Sequence, residues 1–235
     1  MFENLKDWLP SIHKEGYVFV VSFMLVTFVM FAVSNTLGWI GVIMTLWCVY
    51  FFRDPERITP VVDGAIISPA DGVIQKIVKT LPPKELGMEE QEMMRISVFL
   101  NVFNVHVNRI AIDGTIEKAH YNPGKFLNAS LDKASEDNER QSLLIQTNSG
   151  HSVAVVQIAG LIARRIVCDV KEGDEVLAGS RFGIIRFGSR VDVYVPMTAS
   201  ILVAEGQTAI GGETIFAQMD KEQNYDFEDV QWVTR

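Results

Sequence analysis

From Gly16 to Phe52 the chain runs for 37 residues without a charged side chain, and beyond Arg57 it turns into short apolar runs broken by Gly, Pro and Asp. Ser34-Asn35-Thr36 divides the first stretch into Tyr17–Val33 and Leu37–Phe52. At ~1.5 Å per residue each part makes a helix of roughly 25 Å, a little short of the ~30 Å hydrocarbon core of a bilayer. The pattern predicts an N-terminal hydrophobic helical hairpin, either two short spans or a re-entrant pair. A soluble buried hairpin is the alternative. A cleaved signal peptide fits badly, because the run is too long and no Ala-x-Ala site follows it. Lys6, Lys14, Arg53 and Arg57 flank the run while its centre is uncharged. The positive-inside rule then places both ends, and the domain that follows, on the cytoplasmic face of the cell membrane. Arg53-Asp54-Pro55-Glu56-Arg57 ends the segment, since proline stops a helix and the charges suit headgroups.

The expected boundary therefore divides a membrane-associated segment, 1–57, from a β-rich domain, 58–235. Strand-like runs follow at Ala65–Ile67, Val73–Val78, Arg95–Leu100, Val105–Ile112, Thr115–Ala119, Leu143–Gln146, Val153–Ile158, Ile166–Val170, Phe182–Ile185 and Val191–Val195. β-Branching, alternation and close turn signals predict a mainly antiparallel β-sandwich or barrel. Polar Asn122–Gln141 interrupts the pattern and reads as a long loop with a helical turn around Leu131–Asn138. Glu172-Gly173 through Gly179 resembles Glu205-Gly206 through Gly212, 33 residues later. Such a pair resembles the hammerheads of lipoyl-type β-sandwiches. The carrier lysine of those proteins is missing, because the comparable position reads Pro196-Met197-Thr198.

Composition narrows the chemistry. A formal charge of −8 leaves no basic footprint for nucleic acid. Acidic residues gather between Glu205 and Asp229, which reads as a solvated tail. Cys48 and Cys168 read as reduced, small apolar residues, and the four histidines show no zinc spacing. No metal is predicted.

One dipeptide remains, Gly188-Ser189, inside Arg186-Phe187-Gly188-Ser189-Arg190-Val191-Asp192. A Gly-Ser pair between strands is ordinarily a turn. A serine after an open glycine can also attack the preceding carbonyl when a base is near. Four further stretches bear on the choice: Ser68-Pro69-Ala70-Asp71-Gly72, Asn101 to Arg109, Asn122 to Arg140, and Gln157 to Arg165. Together, in this order, they resemble the short, membrane-associated form of phosphatidylserine decarboxylase, from about Arg53 to Pro196.

That resemblance implies a self-processing enzyme that converts phosphatidylserine to phosphatidylethanolamine and CO₂ through a Schiff base on a pyruvoyl group derived from Ser189, without metal or pyridoxal phosphate. It implies cleavage between Gly188 and Ser189 into a large chain 1–188 and a small chain 189–235, each the other's partner, with room for a homo-oligomer. An ether-lipid serine analogue is an alternative substrate. The resemblance also makes Asp71 an assistant in self-cleavage, against the plain reading of an Asx turn. His106 becomes the acid/base of the active site, against a half-buried strand histidine. Longer members carry His-x-x-His where this chain has His106 and Arg109, which puts their proton relay in doubt and makes Arg109 a substrate-contact candidate, since arginine suits a phosphate or carboxylate. Two other readings compete. A non-enzymatic membrane-anchored adaptor with a lipoyl-like sandwich would carry heptads, and none occurs. A serine hydrolase would carry Gly-x-Ser-x-Gly, whereas Ser189 precedes Arg190-Val191.

Overall fold

The computed structural model describes residues 11–88, 91–125, 137–160, 165–186, 189–219 and 231–235. The helical turn expected around Leu131–Asn138 falls largely outside them. The chain forms two compact units, Met1–Glu56 and Arg57–Arg235.

In the first unit α1, Tyr17–Val33, and α2, Asn35–Phe51, form an antiparallel pair turned at the extended Ser34. Small residues let the backbones approach. A Cβ on Gly38 would strike the Phe31 ring, and one on Gly41 would lie 2.8 Å from Thr27 Oγ1. The Thr27 and Thr45 hydroxyls meet at 2.9 Å, while one also donates to the carbonyl of Phe23 and the other to that of Gly41. These bonds satisfy polar groups inside an apolar pair. No residue of α1 is fully buried, and the apolar side chains away from α2, such as Val18, Leu25 and Phe28, are exposed. The helix from Lys14 to Val33 is long and apolar enough to cross a membrane, and α2 is shorter. Ser11–Ile12 pairs with Arg53–Asp54 and closes the base of the hairpin, so both charged flanks leave from one end.

The second unit is mainly antiparallel β, as the alternation predicts. Its eight-stranded sheet has the order Glu175–Val176, Gly114–Asn122, Arg140–Gln146, Ser152–Ala159, Ser189–Pro196, Met93–Leu100, Gly72–Thr80, Thr208–Ala209. Two three-stranded sheets accompany it. One runs Ile166–Cys168, Arg181–Ile185, Val107–Arg109, and the other Ser200–Ile201, Ile215–Gln218, Ala65–Ile67. Apolar residues of all three form the main core, including Ile66, Ile96, Val155, Val191, Val193, Val195, Phe182 and Phe216.

The order is palindromic about the two central strands because the unit is a duplication. One half holds residues 65–100 and 189–218, and the other holds 107–185. The short sequence repeat is its visible part. Gly173 and Gly206 have φ of 88° and 86°, and Gly179 and Gly212 have 78° and 82°, a region open to glycine. Gly179 N donates to Ile110 O, and Gly212 N to Ser68 O, each at 2.8 Å. A register shift falls between Ile74 and Lys76 in one half and between Ile116 and Lys118 in the other. Near the axis the halves exchange reciprocal bonds, Arg109 N to Pro69 O and Ile67 N to Ala111 O.

The strands containing Phe182–Ile185 and Val191–Val195 belong to different sheets. In the second half a tight turn, with Gly150 N on Thr147 O, joins the strands ending at Gln146 and beginning at Ser152. The matching strands of the first half, Met93–Leu100 and Ser189–Pro196, have the whole second half inserted between them. The acidic C-terminal region is not all tail, since Gln231–Thr234 pairs with Ile58–Val61.

The outer face of the large sheet is partly charged. Arg190 and Asp192, two apart on one strand face, form a two-point ion pair with both distances 2.8 Å, and Arg95 Nε stands 3.9 Å from Asp192. Nearby, Arg140 reaches both carboxylate oxygens of Glu85, at 2.7 and 3.1 Å, and Ser142 Oγ donates to it at 2.9 Å. Burial alone raises the Glu85 carboxyl, but the hydrogen bonds from Arg140, its own backbone and Ser142, with the Arg140 charge, outweigh it and hold the group below its ordinary value of 4.5. A carboxyl depressed on folding contributes stability above its unfolded pKa, which is lost as pH falls through the folded value. Glu85→Gln should therefore cost about 1–3 kcal/mol at pH 7. Thermal unfolding should show the gap to wild type closing as the pH drops below 4.5. A gap constant from neutral to acid pH would exclude this role.

Candidate active site

Strand register brings the chemistry-bearing stretches to one end of the large sheet. Ser189 is the first residue of its strand and lies between Ala159 and Leu100. Beyond Leu100 its strand meets Val73, so Asp71-Gly72 lies at the same end, two strands from Ser189. Ala159 accepts from Asn138 Nδ2 at 2.7 Å and donates to Glu139 O at 2.9 Å, which adds the Asn122–Arg140 stretch. Gly188 lies outside the described residues.

Ser189 is fully buried, and its Oγ has no hydrogen-bond partner among the described residues. By alternation its side chain shares a face with Val191, Val193 and Val195, which line the main core. That face looks toward the sheets of the core layer, where His106 is found.

The chain leaves the first half after Leu100 and returns to it at Ser189, and these two residues pair. Within the second half Ile185 N donates to His106 O at 3.3 Å. The outgoing connection is shaped by asparagines: Asn101 N donates to Asn104 Oδ1 at 2.9 Å and Phe103 N to Asn101 Oδ1 at 2.8 Å. His106 is fully buried, with Nδ1 3.0 Å from the carbonyl oxygen of Asn104. A carbonyl there selects the tautomer with hydrogen on Nδ1, which leaves Nε2 as the nitrogen able to take up and return a proton. The site corresponding to His106 in the other half is Gly64, whose carbonyl likewise accepts from Met219 N at 2.9 Å.

Asp71 is tied down at both oxygens. Arg57 Nη2 donates to Oδ2 and Gly211 N to Oδ1, at 2.7 and 2.8 Å. The second bond belongs to the fold, because Asp113 in the other half accepts from Ala178 N at 2.6 Å in the matching place. The Arg57 pair is what sets Asp71 apart. Arg109 is 2% exposed, and its Nη1 donates to the carbonyls of Gly179 at 2.7 Å and Arg235 at 2.9 Å.

A profile of the phosphatidylserine decarboxylase family matches residues 44–217. The chain is 59% identical over 225 residues to the phosphatidylserine decarboxylase proenzyme of Rickettsia felis, covering 96% of this chain and 97% of that one. It is likewise 59% identical over 221 residues to the proenzyme of Rickettsia akari, with 94% and 96% covered, and 58% identical over 221 residues to that of Rickettsia bellii, with the same coverage. The chain belongs to the phosphatidylserine decarboxylase family.

Ser189 suits the pyruvoyl group that the family resemblance implies. Its hydroxyl is a buried donor without a partner among the described residues, a costly group that conversion to a ketone would remove. Two other residues of this family member escaped the sequence reading, Asn108 and Gln157. Both stand within quoted motifs, and the signal was present: each is an uncharged amide in an otherwise core-facing strand. Gln157 Nε2 donates to Asn108 Oδ1 at 2.8 Å, and both residues are fully buried.

Proposed function

We propose that this chain is a self-processing phosphatidylserine decarboxylase, a carboxy-lyase that matures by cutting itself between Gly188 and Ser189. The observation that carries the reading is a fully buried Ser189 hydroxyl, without a partner among the described residues, where the second half joins the first, next to Leu100 from which the connection bearing His106 departs. In maturation Ser189 Oγ bonds to the Gly188 carbonyl carbon, the Gly188–Ser189 C–N bond breaks, and the Oγ proton ends on the freed nitrogen. Nε2 of His106 suits that transfer, accepting from one atom and delivering to the other. Elimination then removes the Ser189 Cα proton and releases Gly188 as a carboxylate. Water replaces the nitrogen, which leaves as ammonia. The pyruvoyl group so formed supplies a carbonyl electron sink for the charge left at Cα when the serine headgroup loses CO₂.

In catalysis His106 returns a proton to the headgroup carbon. Asp71 supports maturation from the same end of the sheet, its charge held by Arg57. For Arg109 to contact the headgroup, substrate would have to displace the Gly179 or Arg235 carbonyl. An uncut chain offers neither the carbonyl nor access to it, which suits a zymogen. The apolar hairpin associates with the membrane that holds the substrate, with both charged ends and the β-rich unit on the cytoplasmic face.

The cleavage site carries its own control, because Gly-Ser-Arg occurs at Gly179-Ser180-Arg181 and again at Gly188-Ser189-Arg190. Intact-mass measurement should find a 47-residue small chain, 189–235, blocked to Edman sequencing and reactive with hydroxylamine. Ser189→Ala should remain one chain, while Ser180→Ala should cut normally. A 56-residue fragment would move the site to Ser180.

The duplicated aspartates separate fold from maturation. Asp71→Ala should stay largely uncut, whereas Asp113→Ala, which loses the matching backbone bond, should cut at a normal rate. His106→Ala should slow cutting and abolish lipid turnover. Equal loss of cutting in both aspartate variants would reduce Asp71 to a turn residue.

Membrane placement is read by cysteine labelling in intact cells. A cysteine at Asn35 should label only from outside, if it labels at all, and one in the β-rich unit only from inside. Outside labelling of the β-rich unit would reject the cytoplasmic placement.

A further inference from the structure

The buried amides of Asn108 and Gln157 each spend one group on the other, which leaves Asn108 Nδ2 and Gln157 Oε1 without a partner among the described residues. Unpaired buried amide groups are costly, and a fold that needs only packing does not keep them. The duplication shows what packing alone requires here. Asn108 corresponds to Ile66, by the reciprocal bonds of Arg109 with Pro69 and Ile67 with Ala111. Gln157 corresponds to Val195, since Ile158 faces Arg140 as Pro196 faces Met93 at the starts of equivalent strands. Ile66 and Val195 are both fully buried in the apolar core. The same two places are thus filled by hydrocarbon in one half and by amides in the half that faces Ser189.

Gln157 lies opposite Val191, two residues along from Ser189 on the same sheet face. Diagonal neighbours of this kind are about 7–8 Å apart, within reach of a long side chain. Ser189 Oγ is itself buried without a partner among the described residues, so a donor and an acceptor that both lack one there share a neighbourhood. We infer that Gln157, braced by Asn108, is a positioning residue for Ser189, its side-chain carbonyl accepting the hydroxyl proton and so aiming the oxygen at the Gly188 carbonyl. Turning both amides over leaves again one N–H group and one carbonyl oxygen. The pair therefore suits a hydroxyl before the cut and a carbonyl oxygen after it. Arg109, next to Asn108, is engaged with the Gly179 and Arg235 carbonyls.

This inference rests on cleavage at Gly188–Ser189, and the test separates the two. The double variant Asn108→Ile/Gln157→Val copies the other half's own solution. Introduced into the full chain with Ser189→Ala, it should unfold at or above the temperature of Ser189→Ala alone. With Ser189 intact it should release the 189–235 chain about a hundredfold more slowly than wild type by intact mass. Gln157→Glu, which keeps an acceptor, should recover most of that rate, and Gln157→Met, of similar size without one, should not. A merely structural pair would change the unfolding temperature and leave the acceptor irrelevant. Wild-type cutting in a folded double variant overturns the inference, as does equal cutting by Gln157→Glu and Gln157→Met if the double variant fails to fold. If Ser189→Ala is itself cut, the cleavage assignment fails instead.

Discussion

Everything at the active end depends on the hydrogen-bonded ladder on both sides of the strand Ser189–Pro196. Its eight residues pair with Leu100 back to Met93 on one side, and six of them pair with Ala159 back to Ala154 on the other. The proposed cut before Ser189 would leave the rungs from Arg190 to Pro196 in place. The new chain start would then be held by backbone pairing, by core valines on one face and by ion pairs on the other. Arg95 would belong to the large chain and Asp192 to the small one, so one of these charge contacts would span the cut. Breaking a buried pair by removing one partner is strongly destabilising, while covalent separation of paired residues leaves the pair whole. On the proposed cleavage, that difference lets the central strand be severed from what precedes it while the fold stays whole.

The duplication accounts for the place of the proposed cut. In one half a tight turn joins the equivalent strands, and in the other that turn has been opened to admit an entire second half. Turns and loop tips are where chains tolerate nicking, because few contacts cross there. The residues proposed for function gather where the two halves stop matching. Gly64 becomes His106, Ile66 becomes Asn108, Ile67 becomes Arg109 and Val195 becomes Gln157. Positions that do match, such as Asp71 with Asp113, carry a fold duty in both halves, and the first has the Arg57 contact in addition.

Much of this was legible in the sequence. Alternation and β-branching located most strands within a few residues, because each buries one face against a common core. The hammerhead repeat was readable because glycines at positive φ cannot be substituted freely. The wider duplication was not, since its paired strands share only apolar character, which many different residues satisfy. The run Val105–Ile112 looked like one strand yet contains only Val107–Arg109, because the flanking residues bond to the crossing segments and to the other half. Ser189, His106 and Asp71 stood out through their motifs as candidates. Asn108 and Gln157 were passed over because an amide in a strand reads as polar surface until register shows that it faces the core.

Placement at the first residue of a paired strand also settles how a reactive group can be both fixed and reachable. An interior strand residue is held from both directions along the chain and hidden by its neighbours. A flexible terminus is reachable but samples many orientations, which costs rate when reacting atoms must meet in one geometry. Ser189 takes the middle course: its backbone is pinned between Ala159 and Leu100, while the bond on its outward side is the one proposed to be lost. Fixing the base of the group and freeing its approach would then be achieved by the same cut.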